Sequence, residues 1–195
     1  MHQAAKADGV DLVIKSATRP FYHQKSIWER KWLGKKKVAG INLAESLISP
    51  FKRTTMILKN SAMPGVSRHH WGTEIDLNAF TNRYFEHGKG KRAYDWLTEN
   101  GHRYGFCQPY SSKEKDPTRT GHSEERWHWS YFPLANQFQK KFLDKIAIND
   151  VNGFLGAEWA KDVKVISHFA EGISSDCTSH IIPKVFSINS LFIGP

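Results

Sequence analysis

Long apolar runs are missing from this 195-residue chain. No stretch nears the ~18 uninterrupted residues that cross a bilayer, because Lys, Asp, Ser and Pro break every candidate, and a transmembrane reading is excluded. Cysteine is scarce: Cys107 and Cys177 stand alone, with no CxxC spacing, and leave either one distant disulfide or two buried thiols. Acidic residues are in deficit, 19 Asp and Glu against 28 Lys and Arg, for a net charge of +9. Anionic partners therefore come first: nucleic acid, acidic lipid or cell-wall polymer. The basic runs Lys35-Lys36-Lys37 and Lys89 to Arg92 are short and lack the basic and aromatic interleaving of a nucleic-acid module, so they read as solvated faces. Internal repeats and low-complexity tracts are absent too. The first sixteen residues lack the basic start, apolar stretch and cleavage site of a signal peptide, and Met1 to Lys6 reads as the back half of a helix whose earlier turns are missing.

What is present suffices for a fold. Hydrophobic residues make up 39% and aromatics 13%, enough apolar surface to offset chain entropy in one compact domain with an appendage. Alternation predicts strands over Val10 to Ser16, Thr73 to Asn78 and Arg126 to Tyr131, with an extended segment from Tyr104 to Pro109. Apolar spacing predicts helices over Gln24 to Lys37, Gly90 to Asn100, Leu134 to Ile146 and Gly153 to Phe169. Pro50 interrupts the weakly helical Leu43 to Leu58, and the tail from Ile181 is apolar but punctuated. The expected fold class is α+β: a small antiparallel sheet with flanking helices over residues 1–132, then a mostly helical extension over 133–195.

Chemistry concentrates in two segments. Ser67 to Asp76 reads SRHHWGTEID and offers His69 and Asp76 across a loop-to-strand join. Glu125 to Trp129 reads ERWHW and adds His128 on a strand flanked by large aromatics. Imidazole nitrogen and carboxylate oxygen both ligate Zn²⁺, and two histidines with one carboxylate leave the open fourth position of catalytic rather than structural zinc. Glu125 is placed to take a proton from water there. His70 is an alternative to its neighbour, although adjacent residues on an extended chain point in opposite directions.

The SxHxxGxxxD pattern from Ser67 to Asp76 and the ExWHW pattern from Glu125 to Trp129 resemble the VanY-type D-alanyl-D-alanine carboxypeptidases, of the lysostaphin, D-Ala-D-Ala metallopeptidase and hedgehog-domain fold group. Ser16-Ala17-Thr18-Arg19 with Gln24 resembles the family's SGYR…Q segment. The resemblance covers roughly the first two thirds of the chain. It implies Zn²⁺ on His69, Asp76 and His128, Glu125 as catalytic base, and a peptidoglycan stem peptide ending in D-Ala as substrate. By the same resemblance Arg19 grips a terminal carboxylate or polarises the scissile carbonyl. Gln24 either contacts substrate backbone or caps the following helix, and Ser67 either contacts substrate or stabilises a turn. The cell envelope or periplasm is the implied location, and a monomer is expected.

Two departures matter. Glu74 stands where the family has a small residue; on an alternating strand it shares a face with Asp76 and either supports the site or changes its charge. SATRP replaces SGYRS. Strict alternation would also put Glu125 and His128 on opposite faces, so the strand is expected to start after Glu125. Trp127 and Trp129 read as core residues, Glu124 as solvated, and His122 as either a cleft neighbour or a plain loop residue. His2, His23, His87, His102, His168 and His180 read as surface or satisfied core residues. The rival functions are an endopeptidase of the same zinc group, a zinc-bearing wall-binding module without catalysis, and, weakest, a nucleic-acid binder.

Overall fold

A computed structural model describes residues 1–45 and 47–178. The centre is a four-stranded antiparallel sheet in the order β1-β2-β4-β3, built from β1 (Ile14–Ser16), β2 (Glu74–Leu77), β3 (Phe106–Cys107) and β4 (His128–Tyr131). Because side chains alternate along a strand, β2 divides its residues cleanly. Ile75 and Leu77 join Trp129 in an apolar layer with Val10 and Leu12 and with Ala93, Trp96 and Leu97 of α4 (Gly88–Asn100). Glu74 and Asp76 point the other way, opposite Ser130 and His128 of β4. One sheet face is core and the other carries the polar groups.

A second core lies on the far side of the site. Trp28 and Trp32 of α2 (Phe21–Trp32) and Ile57 and Leu58 of α3 (Pro50–Leu58) pack with Phe142 of α5 (Phe132–Lys145), Val151, Phe154, Val163 and Val165. Residues beyond 133 thus share a core with the N-terminal half. At the start, α1 (His2–Ala7) ends before Gly9, which sits at φ +72°, and Ala5 is buried in the first core.

Several elements depart from the sequence expectation. Pro50 begins α3 instead of interrupting it: its missing N–H costs nothing at the first helical position, and Ser49 caps the helix by accepting from the Lys52 amide at 3.3 Å. The helix α2 starts at Phe21 and stops at Trp32, short of Lys37. Gly153 to Phe169 is not one helix but a chain of short turns, because Gly153, Gly156 and Lys164 sit at φ +82°, +84° and +52°, which an α-helix cannot accommodate. The expected strand Val10 to Ser16 narrows to Ile14–Ser16. The tail from Ile181 and His180 lie outside the described residues. Cys107 and Cys177 form a disulfide across 70 residues of sequence, with Cα atoms 5.4 Å apart. Among the described residues no helix is long and apolar enough to cross a membrane.

Candidate metal centre

Residues Arg68–Trp71 form a single 3₁₀ turn that ends at Gly72. Gly72 takes φ +74°, the left-handed region where a side chain is strained, and a Cβ there would come within 3.2 Å of Thr18 Oγ1. The turn separates the two histidines. His69 is buried and faces the sheet, whereas His70 accepts from the Gly65 amide through Nε2 (3.0 Å) and donates from Nδ1 to the Arg19 carbonyl (2.6 Å). Both ring nitrogens of His70 are thereby used in pinning the Arg19 loop.

His69, Asp76 and His128 are buried, and their ligating atoms all lie within 4.8 Å of one another. Asp76 and His128 are directly paired across β2 and β4, and His69 arrives from the turn. His69 donates from Nδ1 to the Ala17 carbonyl at 2.7 Å, so the bare Nε2 faces Asp76 Oδ2 at 3.3 Å. His128 does the reverse: Nε2 donates to Glu74 Oε2 at 2.9 Å while Nδ1 faces Asp76 Oδ1 at 3.2 Å. Asp76 Oδ1 is buried without a hydrogen-bond partner. A buried carboxylate oxygen with no donor, flanked by two imidazole nitrogens whose opposite nitrogens are held, is a donor set that suits a divalent cation.

Charge follows from the same geometry. Burial lowers the pKa of His69, favouring the neutral ligand form. Burial opposes charge on Asp76, but the His128 and His69 rings against it outweigh that cost and hold the carboxyl well below its usual range. Glu125 precedes β4, and the turn closed by the His128 amide on its carbonyl (3.2 Å) brings its carboxylate 3.6 Å from His128 Nδ1. The alternation conflict is resolved by that turn. Burial pushes Glu125 up to about 7, against the opposing pull of His128.

These groups line a cavity of about 840 Å³ that also takes in Arg19, Ser67 and His122. Arg19 donates to Gln24 Oε1 (2.6 Å), Ser16 Oγ (3.1 Å) and Asp76 Oδ2 (3.4 Å), which leaves one Nη1 N–H for another partner, since Nε is buried without one. Gln24 itself is buried, with its oxygen on Arg19 and its amide nitrogen donating to the Ala62 carbonyl at 2.6 Å. Its place is behind Arg19 and away from the cavity wall. Ser67 is buried at the wall, and His122 donates to the Leu58 carbonyl at 2.7 Å with its ring against Tyr110 and Phe169. Glu124 pairs with Arg126 at 3.2 Å.

Sequence reasoning missed three contributors. Tyr110 is buried with its ring centroid 4.8 Å from that of His128, Asn60 hydrogen-bonds Glu125, and Lys31 reaches the cavity with its amine on Ser61. Burial, with Lys36 adding to it, brings Lys31 down to about 8. Each lies on a segment without a motif, so the sequence held no signal for them beyond general basicity.

Residues 1–134 match the family model of VanY, D-alanyl-D-alanine carboxypeptidase. The chain belongs to the VanY family. A D-alanyl-D-alanine carboxypeptidase of Enterococcus faecalis is 32% identical over 131 residues, covering 67% of this chain and 44% of that protein. The chain therefore spans less than half the length of that VanY relative. An uncharacterized protein of Haemophilus influenzae is 30% identical over 92 residues, 41% of this chain and 68% of that one. Among solved structures, VanYB in complex with D-alanine-D-alanine superposes with a TM-score of 0.49 at 27% identity, covering 75% of this chain and 77% of that chain. A point mutant of the vancomycin resistance D,D-pentapeptidase VanY, in complex with Zn(II), gives 0.48 at 27% identity, covering 81% and 76%.

Proposed function

We propose that this VanY-family chain is a zinc-dependent carboxypeptidase that removes a C-terminal D-Ala from peptidoglycan stem peptides in the cell envelope. The observation that carries the reading is the convergence of His69, Asp76 and His128 within 4.8 Å, with the Glu125 carboxylate 3.6 Å from His128 Nδ1. A zinc ion held by these three residues would polarise the scissile carbonyl and lower the pKa of a water molecule. The remaining work falls to the chain. Glu125 accepts the proton of the attacking water and returns it to the leaving amine, a role suited to a buried carboxylate set against the ligand His128. Arg19, fixed by Gln24 and Ser16, lines the cavity and offers its positive charge and its remaining Nη1 N–H to the terminal carboxylate or to the oxyanion. Lys31 adds positive charge to the same cavity, which favours a substrate with a free carboxylate.

The test is release of amino acid from defined stem peptides, one ending in D-Ala-D-Ala and one in a single D-Ala, with and without chelator. Release from either that stops on chelation and returns with zinc supports the reading. Cleavage only within longer or cross-linked peptides would replace it with an endopeptidase. Zinc binding without any cleavage would leave a wall-binding module.

A further inference from the structure

Glu74 has no place in the reaction described above, yet it is among the most buried charged side chains in the protein, with no solvent exposure. Its two oxygens do different things. Oε1 accepts from Arg68 Nε (3.2 Å), Thr73 Oγ1 (3.2 Å) and Ser130 Oγ (2.7 Å); Oε2 accepts from His128 Nε2 alone (2.9 Å). Arg68 extends the network to Gln139 of α5 at 2.7 Å and to Ser130 at 3.3 Å. We infer that Glu74 is a positioning residue, which holds a proton on His128 Nε2 and so makes Nδ1 the nitrogen that gives up its proton to the metal.

The argument is one of donor counting. A neutral imidazole carries one N–H, and only the unprotonated nitrogen can ligate. In a site this dry, a proton on Nε2 without an acceptor would be a buried unsatisfied donor, and the ring would exchange it to Nδ1, toward Asp76 and Glu125. An acceptor at Oε2 removes that alternative. The three donors crowding Oε1 fix the carboxylate so that Oε2 cannot turn away. A small residue at this position could do neither, so the glutamate that departs from the family pattern supplies the acceptor. The same carboxylate offsets the buried Arg68 charge, and Arg68 in turn holds Gln139 of α5.

Glu74→Gln is the informative change because it keeps the shape and removes one acceptor. Its single oxygen meets the three donors at Oε1, which turns the amide nitrogen toward His128 Nε2; as a donor there it forces the proton onto Nδ1. The inference rests on the metal reading, so zinc affinity, not turnover, is the readout, measured by competition with a chromophoric chelator. Glu74→Gln should weaken zinc by about 10- to 100-fold. Gln139→Ala, which loosens Arg68 without touching His128, should cost stability with zinc affinity within about threefold of the parent. Equal zinc loss in both variants, or none in Glu74→Gln, overturns the inference. Should Glu74→Gln fail to fold, long-range ¹H–¹⁵N spectra of the zinc-loaded parent protein still decide it: a hydrogen-bonded proton on His128 Nε2 is required, and a proton on Nδ1 refutes it. If the parent protein binds no zinc, the metal reading itself falls, and this one with it.

Discussion

Zinc affinity should climb with pH in two regimes. In the metal-free protein burial opposes charge on His128, but Asp76 and Glu74 outweigh it and raise its pKa to about 10. A ligating Nδ1 carries no proton, so the metal must displace one throughout the neutral range. Glu125, at about 7, is partly protonated below neutrality, and a dication beside it favours the carboxylate, so a second proton leaves there. His69 and Asp76 are both lowered and contribute none near neutral pH. Each displaced proton makes affinity rise tenfold per pH unit, about 1.4 kcal/mol. Affinity should therefore rise about tenfold from pH ~7.5 to ~8.5 and closer to a hundredfold from ~5.5 to ~6.5. Chelator competition measures the slope, and calorimetry in buffers of different ionisation enthalpy counts the protons. About one proton released at alkaline pH and nearly two in mild acid is the expected result. A flat affinity with no proton release would refute the picture of a carboxylate-clamped, protonated His128 in the apo site.

Glu125→Gln should keep zinc and fold while lowering turnover of a stem peptide by roughly 10² to 10⁴-fold, and a near-native rate would assign the base elsewhere. Arg19→Lys keeps charge but loses the planar fork, so if Arg19 grips the terminal carboxylate, cleavage should fall for free-acid peptides, with zinc content unchanged. Equal loss on C-terminally amidated peptides would move Arg19 to the oxyanion, and no loss on either would remove it from the site. Glu74 and His128 together support the metal-free fold fully only between about pH 4.5 and 6.5. Burial lowers His69, His70 and His122, which remove stability as pH falls below 6.5 and outnumber the raised Glu125, so the maximum should lie near the upper edge of that window. Glu74 is held below its ordinary 4.5, since Arg68 and His128 outweigh the burial cost, so its contribution is full above 4.5 and lost as pH falls through the lowered value. His128 is raised, so its contribution is full below 6.5 and lost as pH rises toward 10. Melting temperatures of chelated protein that rise toward pH 3 or toward pH 10 would contradict this.

The candidate site was legible because its groups sit at short, fixed offsets: His69 and Asp76 share one turn-and-strand unit, and Glu125 and His128 share another. The geometry that brings the two units together is a strand pairing, Asp76 with His128, whose partner and register no local motif specifies. Gln24 was harder, since its amide is consumed by the Ala62 carbonyl 38 residues away, a contact that no local pattern encodes. Glu74 was visible as an oddity on the right face, but only its neighbours Ser130 and Arg68 show which oxygen is free for His128. The helical spacing of Gly153 to Phe169 misled because burying Phe154, Val163 and Val165 against Trp28 and its neighbours satisfies the same apolar pattern without a continuous helix. Tertiary burial there overrides local periodicity.

The Cys107–Cys177 bond closes residues 107–177 into a covalent ring, and the N-terminal part of the chain is a thread attached to it at Cys107. Glu125 and His128 belong to the ring, whereas His69 and Asp76 lie on the thread, so the cluster straddles the two. Pulling on the N-terminus would strip β1 and then β2 from the sheet and take two of the three ligands away, while the ring kept His128 within bounds. A cut in the polar loop 111–121 would open the ring yet leave both pieces bonded, one species until a reductant is added. Ring and thread are joined at the cluster by non-covalent contacts, and a metal ion there would act as the clasp.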